Sequence, residues 1–580
     1  MILQVQGTKE NVGRETEMEE LSRRTFLKGA GIAGIGALAV AGLAGCTSGE
    51  SGGAGDGSSD LTRAGAGAGA DSNPEGIGVV VDAANTEDAD IVVVGSGIGG
   101  FFASMIAKEQ APDATVVMIE KNDYLGGSTN FAECNGPATN MSDADARIAG
   151  FEAAAGNKYI SNSILHYERL KERGDNADWL FGKHKVGWYQ AGPAFYEGGH
   201  GASAIKTLTP IAESEGVDIR TSARATALLT SGDYAVTGVQ YVDGNGAVNH
   251  INAKAVILAT GGMSTNKPLL GLYSSQDMDK IIGWGEGQDG DGHLMVEQTA
   301  HGRANHLCVA SLFNNIGDSS GSGAYDSPLG VSVAMQFSNC HINEYGIRYC
   351  NESGGDFLGT AESGKLIESQ GYVFSVVDTS MIEKYEAGGC TRHYSGFADR
   401  CVGNPIELKS ELEHYTGSSF MYTADTIQAL GEAIAKTVPY FDVPAFVAEI
   451  DKYNGYAKTG KDLDYGKGAE NLWAIDKAPF YAFQISSGMV NTCGGIRINR
   501  DAQVTDARGK VIAGLYAAGV CTSGWDGEVY GGGTCQSVGM WAGSRAARHA
   551  VVNLLGGTVA PDWMGTESSL DSTPVAPPAG

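Results

Sequence analysis

Asp88-Ala89-Asp90-Ile91-Val92-Val93-Val94-Gly95-Ser96-Gly97-Ile98-Gly99-Gly100, read on through Glu120 to Thr129, is the stretch on which the fold turns. Ile91 to Val94 is wholly apolar and β-branched, the mark of a strand buried on both faces. It runs directly into Gly95-x-Gly97-x-x-Gly100. A helical stretch from Phe101 to Glu109 follows, then a second apolar run, Ala114 to Ile119, closed by Glu120. Each part has a physical task. Gly95 allows a tight turn, Gly97 lets backbone approach a pyrophosphate, and Gly100 lets helix pack on strand. The helix start offers unpaired N–H groups to phosphates, and Glu120 can accept hydrogen bonds from a ribose diol. In a chain with 85 glycines the glycine pattern alone is weak. Strand, glycines, helix, strand and acid in that order make a dinucleotide site.

Outward from that unit, the 580 residues suffice for two or three domains. A net charge of −28 excludes nucleic acid as a partner, because nothing supplies a basic groove to neutralise phosphates. Residues 1–45 read as an address: Ser22-Arg23-Arg24-Thr25-Phe26-Leu27-Lys28 has the twin-arginine form, followed by a Gly- and Ala-rich apolar segment too short to span a bilayer. Leu43-Ala44-Gly45-Cys46 resembles a lipoprotein box, which predicts a lipid on Cys46 and a membrane anchor. Export in the folded state suits a chain that loads its cofactor first. Residues 46–87 are a Gly-, Ala-, Ser- and Asp-rich tether, and 557–580 a disordered tail. Ten cysteines show no C-x-x-C and no C-x-x-C-H, so no iron–sulfur cluster, haem or metal site is signalled. Cys340 and Cys350 are read as free thiols rather than a bridge.

Further along, a long helical region carries Trp179, Trp188 and Tyr189. Strands follow at Gly216 to Arg220 and Ala225 to Leu229. Val239 to Ile251 is a hairpin turning at Asp243-Gly244-Asn245-Gly246, and Lys254 to Gly262 is another buried strand ending on glycines. Scattered aromatics and histidines then mark an inserted domain, with a helix from Thr423 to Val438. A late strand, Gly514 to Gly519, and an amphipathic helix, Thr534 to Leu555, bring the chain back.

Together these stretches resemble the fumarate reductase and succinate dehydrogenase flavoprotein superfamily, which also holds 3-ketosteroid dehydrogenases and urocanate reductase. The match runs from Asp88 to Val552. It rests on the first glycine motif, Gly126-Gly127-Ser128, Ala259-Thr260-Gly261-Gly262, Gly290-Asp291-Gly292, and Ile342-Asn343 through Arg348 to Glu352. Ala424-Asp425-Thr426, Tyr453-Asn454, Thr492-x-Gly494-Gly495 and Gly514 to Gly519 complete it. The resemblance implies an α/β fold: a glutathione-reductase-type Rossmann FAD-binding domain (88–303 and 491–556) with an inserted α+β capping domain (304–490). It implies FAD, held by Gly95, Gly97, Gly99, Gly100, Glu120, Lys121, Gly127, Ser128, Thr129, Ala225, Ala259, Thr260, Gly261, Asp291, Ala518, Gly519 and Ser537. The last helix would aim its positive end at the reduced ring.

The substrate residues of fumarate reductases do not carry over. Val490-Asn491 stands where their His precedes Thr-x-Gly-Gly, and Ser353 to Asp356 offers no arginine. Glu528-Val529-Tyr530 replaces their carboxylate-gripping arginine. A dicarboxylate needs such contacts to offset desolvation, so the substrate is not fumarate. No histidine stands near Ser128 for a covalent link, and the FAD is read as non-covalent. Tyr530-Gly531-Gly532-Gly533-Thr534 is similar to the ketone-polarising motif of ketosteroid dehydrogenases, which makes Tyr530 a catalytic candidate; a packing or adenine-side role is its alternative. Arg392 and Tyr394 are candidate proton donors from the cap, with a surface or interdomain role as theirs. The reading is an exported FAD oxidoreductase acting on CH–CH groups, reducing an activated alkene of a small-molecule substrate. Its electrons come from a separate c-type cytochrome or quinol-linked protein. A 3-ketosteroid-type dehydrogenase and a non-catalytic flavin carrier are the alternatives.

Overall fold

The computed structural model describes residues 77–132, 163–190, 194–197, 200–232, 234–271, 273, 281–283, 287–302, 304–309, 313–316, 339–352, 361–388, 407–489, 492–525 and 533–558. All of these fall within one unit, Leu61–Gly580. The export signal, Cys46 and the C-terminal tail from residue 559 lie outside the described residues, as do Tyr530, Arg392 and Tyr394. Among the described residues no helix is long and apolar enough to cross a membrane.

Ile91 to Val94 do form a doubly covered strand, but it begins six residues earlier, as Asn85–Val94. Its exposed half is polar and has no apolar signal. That half is held by register instead, Asn85 to Ala89 pairing in parallel with Asn249 to Ala253. The inner half buries completely between Val116–Ile119 and the end of Val248–Leu258. Val217–Arg220 extends the sheet beyond Val116–Ile119, and Val511–Ala517 beyond Val248–Leu258. Five parallel strands thus form the centre, with Gln503–Thr505 on one edge.

The hairpin and the buried strand expected after it are one element. Val248–Leu258 pairs antiparallel with Val236–Val242 through its first half and parallel with Val511–Ala517 through its second. Its sequence changes from alternating to continuously apolar midway, because it passes from a half-exposed part of the sheet, paired on both sides, into the core.

Two helices cover this sheet, Ile98–Gln110 and Thr534–Leu554. The second was expected to be amphipathic; it is buried on nearly every face, from Thr534 to Val551. The crossing is made by glycines. A Cβ on Gly543 would lie 2.3 Å from Gly99 O, and one on Gly539 2.8 Å from the Ile98 side chain.

The expected long helical region around Trp179 breaks up. Trp179 lies in the π-helical turn Asp178–Lys183, whereas Trp188 and Tyr189 lie on a strand, Trp188–Gln190, paired with Ala194–Tyr196. Aromatic stacking drives this: Phe181 on Trp188 at 5.0 Å, and Tyr189 on Phe195 across the pair at 5.5 Å. The helix expected from Thr423 also shifts. Thr423 belongs to the strand Met421–Ala424, and Thr426 caps Ile427–Ala435 by accepting from Ala429 N–H at 3.1 Å.

A second sheet is built around Phe480–Met489, with Val373–Asp378, Cys340–Asn343, Phe313–Ile316, Met421–Ala424 and Ile281–Gly283. It has its own apolar core, from Phe374 to Phe446 and Phe483. Beside that core Arg348 is fully buried, bonded to Glu352 at 2.7 and 3.0 Å and to Asp462 at 3.0 Å, with Tyr453 and Tyr465 flanking its guanidinium. Burial alone would raise the Asp462 carboxyl, but hydrogen bonds from Arg348 and the Lys467 backbone bring it down to about 2. Arg348 is therefore structural, and removing one partner would strand a buried charge at a cost of about 3–5 kcal/mol. Cys340 and Cys350 are both free and buried.

Candidate active site

The ends of neighbouring parallel strands are stitched together by backbone. Gly95 N–H donates to Ile119 O at 2.8 Å, Ala259 N–H to Val94 O at 2.7 Å, and Ala518 N–H to Leu258 O at 2.8 Å. Gly95, Ala259 and Ala518 therefore stand side by side at the carboxyl edge, where open α/β sheets bind ligands. Gly519 follows at φ +78°, its Cα side facing Gly539 of the terminal helix.

The glycines divide into two kinds. Gly95 has φ +105°, and a Cβ there would lie 2.3 Å from Ala259 O; one on Gly100 would lie 2.0 Å from Gly95 O. These two serve the chain's own packing, and Gly99 serves the helix crossing. Gly97 and Gly127 are different. Among the described residues, a Cβ on Gly97 would meet nothing nearer than 3.5 Å, and one on Gly127 nothing within 4 Å. That open side is a cradle for a ligand to approach backbone.

Glu120 is 6% exposed. Its Oε2 accepts from Ser96 N–H at 3.0 Å and Ser96 Oγ at 2.7 Å, and its Oε1 from Asn122 N–H at 2.9 Å. A carboxylate has about four acceptor positions, so one remains for a ribose hydroxyl. Thr129 has a structural task within the chain. Its Oγ1 accepts from Ile98 N–H at 3.0 Å and from Gln536 Nε2 at 3.4 Å, so it caps the glycine-loop helix and ties it to the terminal helix.

Lys121 and Asp291 hold each other. Lys121 Nζ reaches Asp289 at 2.8 Å and Asp291 at 3.1 Å, while Arg224 grips both oxygens of Asp291 at 3.1 Å. Burial opposes ionisation of Asp289, yet Lys121 outweighs it and holds the carboxyl below its ordinary range. These side chains lock the turn after Glu120 to the start of Asp291–Thr299. Ala225 is buried two residues beyond Ala223, whose N–H donates to Glu120 O at 2.7 Å.

Gln288, His293, Arg169 and His166 are the residues here that sequence reading did not single out. Gln288 links the two glycine turns, its Oε1 accepting from Gly262 N–H at 3.1 Å and its Nε2 donating to Ser128 Oγ. His293 is buried with neither ring nitrogen bonded, and the Thr260 Oγ1 atom is buried without a hydrogen-bond partner, among the described residues. Burial pushes the His293 imidazole down to about 4, so it is neutral. Finally, Ser537 in the first turn of the terminal helix accepts from Arg169 Nη1 at 2.9 Å. Arg169 also bonds His166 Nδ1 at 3.3 Å, and His166 Nε2 meets Trp525 O at 2.5 Å. Burial, then the Arg169 charge, push the His166 imidazole down to about 3. His166 and Arg169 are three apart on Ser163–Lys171, and that polar face was the available signal.

The cradle, the ribose acceptor, and the unbonded Thr260 and His293 fit a bound dinucleotide. A family model described as an FAD binding domain matches residues 180–535, over half of the chain. The chain belongs to this FAD-binding family. An FAD-dependent oxidoreductase model also matches residues 90–262. FAD is the cofactor, and the protein is an FAD-dependent oxidoreductase. It is 29% identical over 495 residues to the vinyl phenol reductase of Lactiplantibacillus plantarum, covering 80% of this chain and 97% of that one. A probable fumarate reductase of Shewanella frigidimarina is 26% identical over 495 residues, covering 81% and 77%. The 3-ketosteroid Δ1-dehydrogenase of Sterolibacterium denitrificans has the same fold, with a TM-score of 0.64 at 17% identity over 80% of this chain and all of that one.

Proposed function

We propose that this FAD-dependent oxidoreductase of CH–CH groups works as an exported reductase for an activated carbon–carbon double bond, on a substrate other than fumarate. FAD, when bound and reduced, supplies the hydride. The first, mainly parallel sheet is the Rossmann-type FAD domain, and the second sheet, around Phe480–Met489, is the cap that closes over the substrate. Gly97 and Gly127 admit the cofactor backbone, Glu120 holds its ribose, and Tyr530 delivers the proton. Electrons come from a separate c-type cytochrome or quinol-linked protein, since the sequence has no haem-attachment motif. The substrate is a neutral enone or an alkene conjugated to an aromatic ring.

The observation that supports this reading most is the reach of the similarity to vinyl phenol reductase, which takes in 97% of that chain and so both sheets. The absence of the fumarate-binding arginine and histidine at their matched positions points the same way. The test is anaerobic: reduce the purified protein with dithionite and follow reoxidation by 4-vinylphenol, a cinnamate, an enone steroid, urocanate and fumarate. Rapid reoxidation by a conjugated neutral alkene, with fumarate inert, is the expected result. Reoxidation by fumarate alone would defeat the substrate class, and bleaching of the oxidised protein by a saturated ketosteroid would reverse the direction.

A further inference from the structure

The Gln288 carboxamide lies between Ser128 and Gly262, in the two glycine turns that flank the cradle. A backbone N–H is a donor only, so the Gly262 bond fixes which end of the carboxamide is oxygen. The NH2 end therefore faces Ser128 and must donate. A serine hydroxyl has one proton and two lone pairs. With one lone pair taken by Gln288, its proton is directed elsewhere, and no hydrogen bond donated by it is found among the described residues. Ser128 is half-buried and follows Gly127, where a Cβ would meet nothing within 4 Å among the described residues.

We propose that Gln288 is a positioning residue that poses the Ser128 hydroxyl as a hydrogen-bond donor to bound FAD. The cofactor offers acceptors there, whether phosphate oxygens or ring nitrogen and oxygen, and a donor of fixed direction matches them. Gln288 lies outside every glycine motif and acts on the cofactor only through Ser128. The inference rests on the FAD assignment and adds to it the direction of one bond. Gln288 also supports the Gly262 turn, so the experiment separates that role from the posing of Ser128.

Gln288→Glu keeps the shape and the bond from Gly262 N–H. It presents an acceptor to Ser128, which draws the Ser128 proton inwards and away from the cofactor. FAD rebinding to stripped protein, read by quenching of FAD fluorescence at pH 8, should weaken about tenfold in Gln288→Glu and in Ser128→Ala. The double variant should bind no more weakly than either single one. As the pH is lowered through the titration of the new carboxyl, the Glu variant alone should regain affinity, because the protonated acid donates again. A Glu substitution that costs as much in the Ser128→Ala background as in the parent would overturn the proposal and leave Gln288 as a support for Gly262. A Glu variant that binds as tightly as the parent would overturn it too. Should that variant fail to fold, Gln288→Met takes its place in the same cycle: a cost that disappears in the Ser128→Ala background supports the proposal, and an undiminished cost overturns it. A parent chain that binds no FAD would sink the cofactor assignment as well, and is recognised in the same titration.

Discussion

Glu120 shows how a single side chain divides its bonds between fold and ligand. Three donors from Ser96 and Asn122 hold it at the tip of its strand, which leaves it one acceptor position. Glu120→Ala should therefore loosen FAD and also free the Ser96 turn. Denaturation with acid should release yellow FAD from the parent into solution, and gel filtration should strip it from the variant; colour that stays with the parent pellet would refute non-covalent binding. Tyr530 is the riskier residue. Hydride delivery to an enone leaves charge on the carbonyl oxygen and a carbon to protonate, and a tyrosine with a reference pKa of about 10 suits a strongly basic enolate. Tyr530→Phe should keep FAD and slow reoxidation by substrate ~100-fold. A parent-like rate would return Tyr530 to packing and move attention to Arg392 and Tyr394.

Among elements, the crossing of Ile98–Gln110 with Thr534–Leu554 matters most, because it sets where both helix starts lie. A side chain at Gly543 would run into Gly99 backbone, which no rotamer can relieve. Gly543→Val should lower stability by about 1–3 kcal/mol or more and cost FAD, since Gly99 sits in the phosphate loop. Gly455, in the middle of Val443–Thr459, is the contrast: among the described residues nothing lies within 4 Å of a Cβ there. Gly455→Ala should leave thermal unfolding unchanged or raise it, by up to about 1 kcal/mol. Equal effects of the two substitutions on the melting curve would mean that the crossing has room to spare. The helix Ser163–Lys171 is the other element that shapes the site, through Arg169 on Ser537 and His166 on Trp525.

For the whole molecule, the question is where the flavoprotein works. The arginine pair Arg23-Arg24 and the Cys46 box make export and anchoring the expectation. Arg23→Lys with Arg24→Lys should leave folded, yellow protein in the cytoplasm, and Cys46→Ala should release exported protein from membranes. Unchanged membrane fractionation of the Cys46 variant would remove the lipid anchor. A charge of −28 would favour a donor protein with a basic face over an acidic one.

The dinucleotide unit was legible in the chain because its parts are close in sequence. Ile91 to Val94, the spaced glycines and Glu120 lie within a single strand–helix–strand unit, and each residue type has a local reason that periodicity or φ makes visible. The strand turns at Ala259 and Ala518 were legible for the same reason. What only the tertiary structure decided depends on pairs far apart. Thr129 caps a helix 31 residues away, Gln288 reaches Ser128 across 160, and Arg169 reaches Ser537 across 368. The polar half of Asn85–Val94 and the strand at Trp188 also formed against local expectation, held by partner strands and stacked rings. A hydrogen bond between distant residues leaves no period in the sequence; its direction, and so its chemistry, appears only when the fold brings donor and acceptor together.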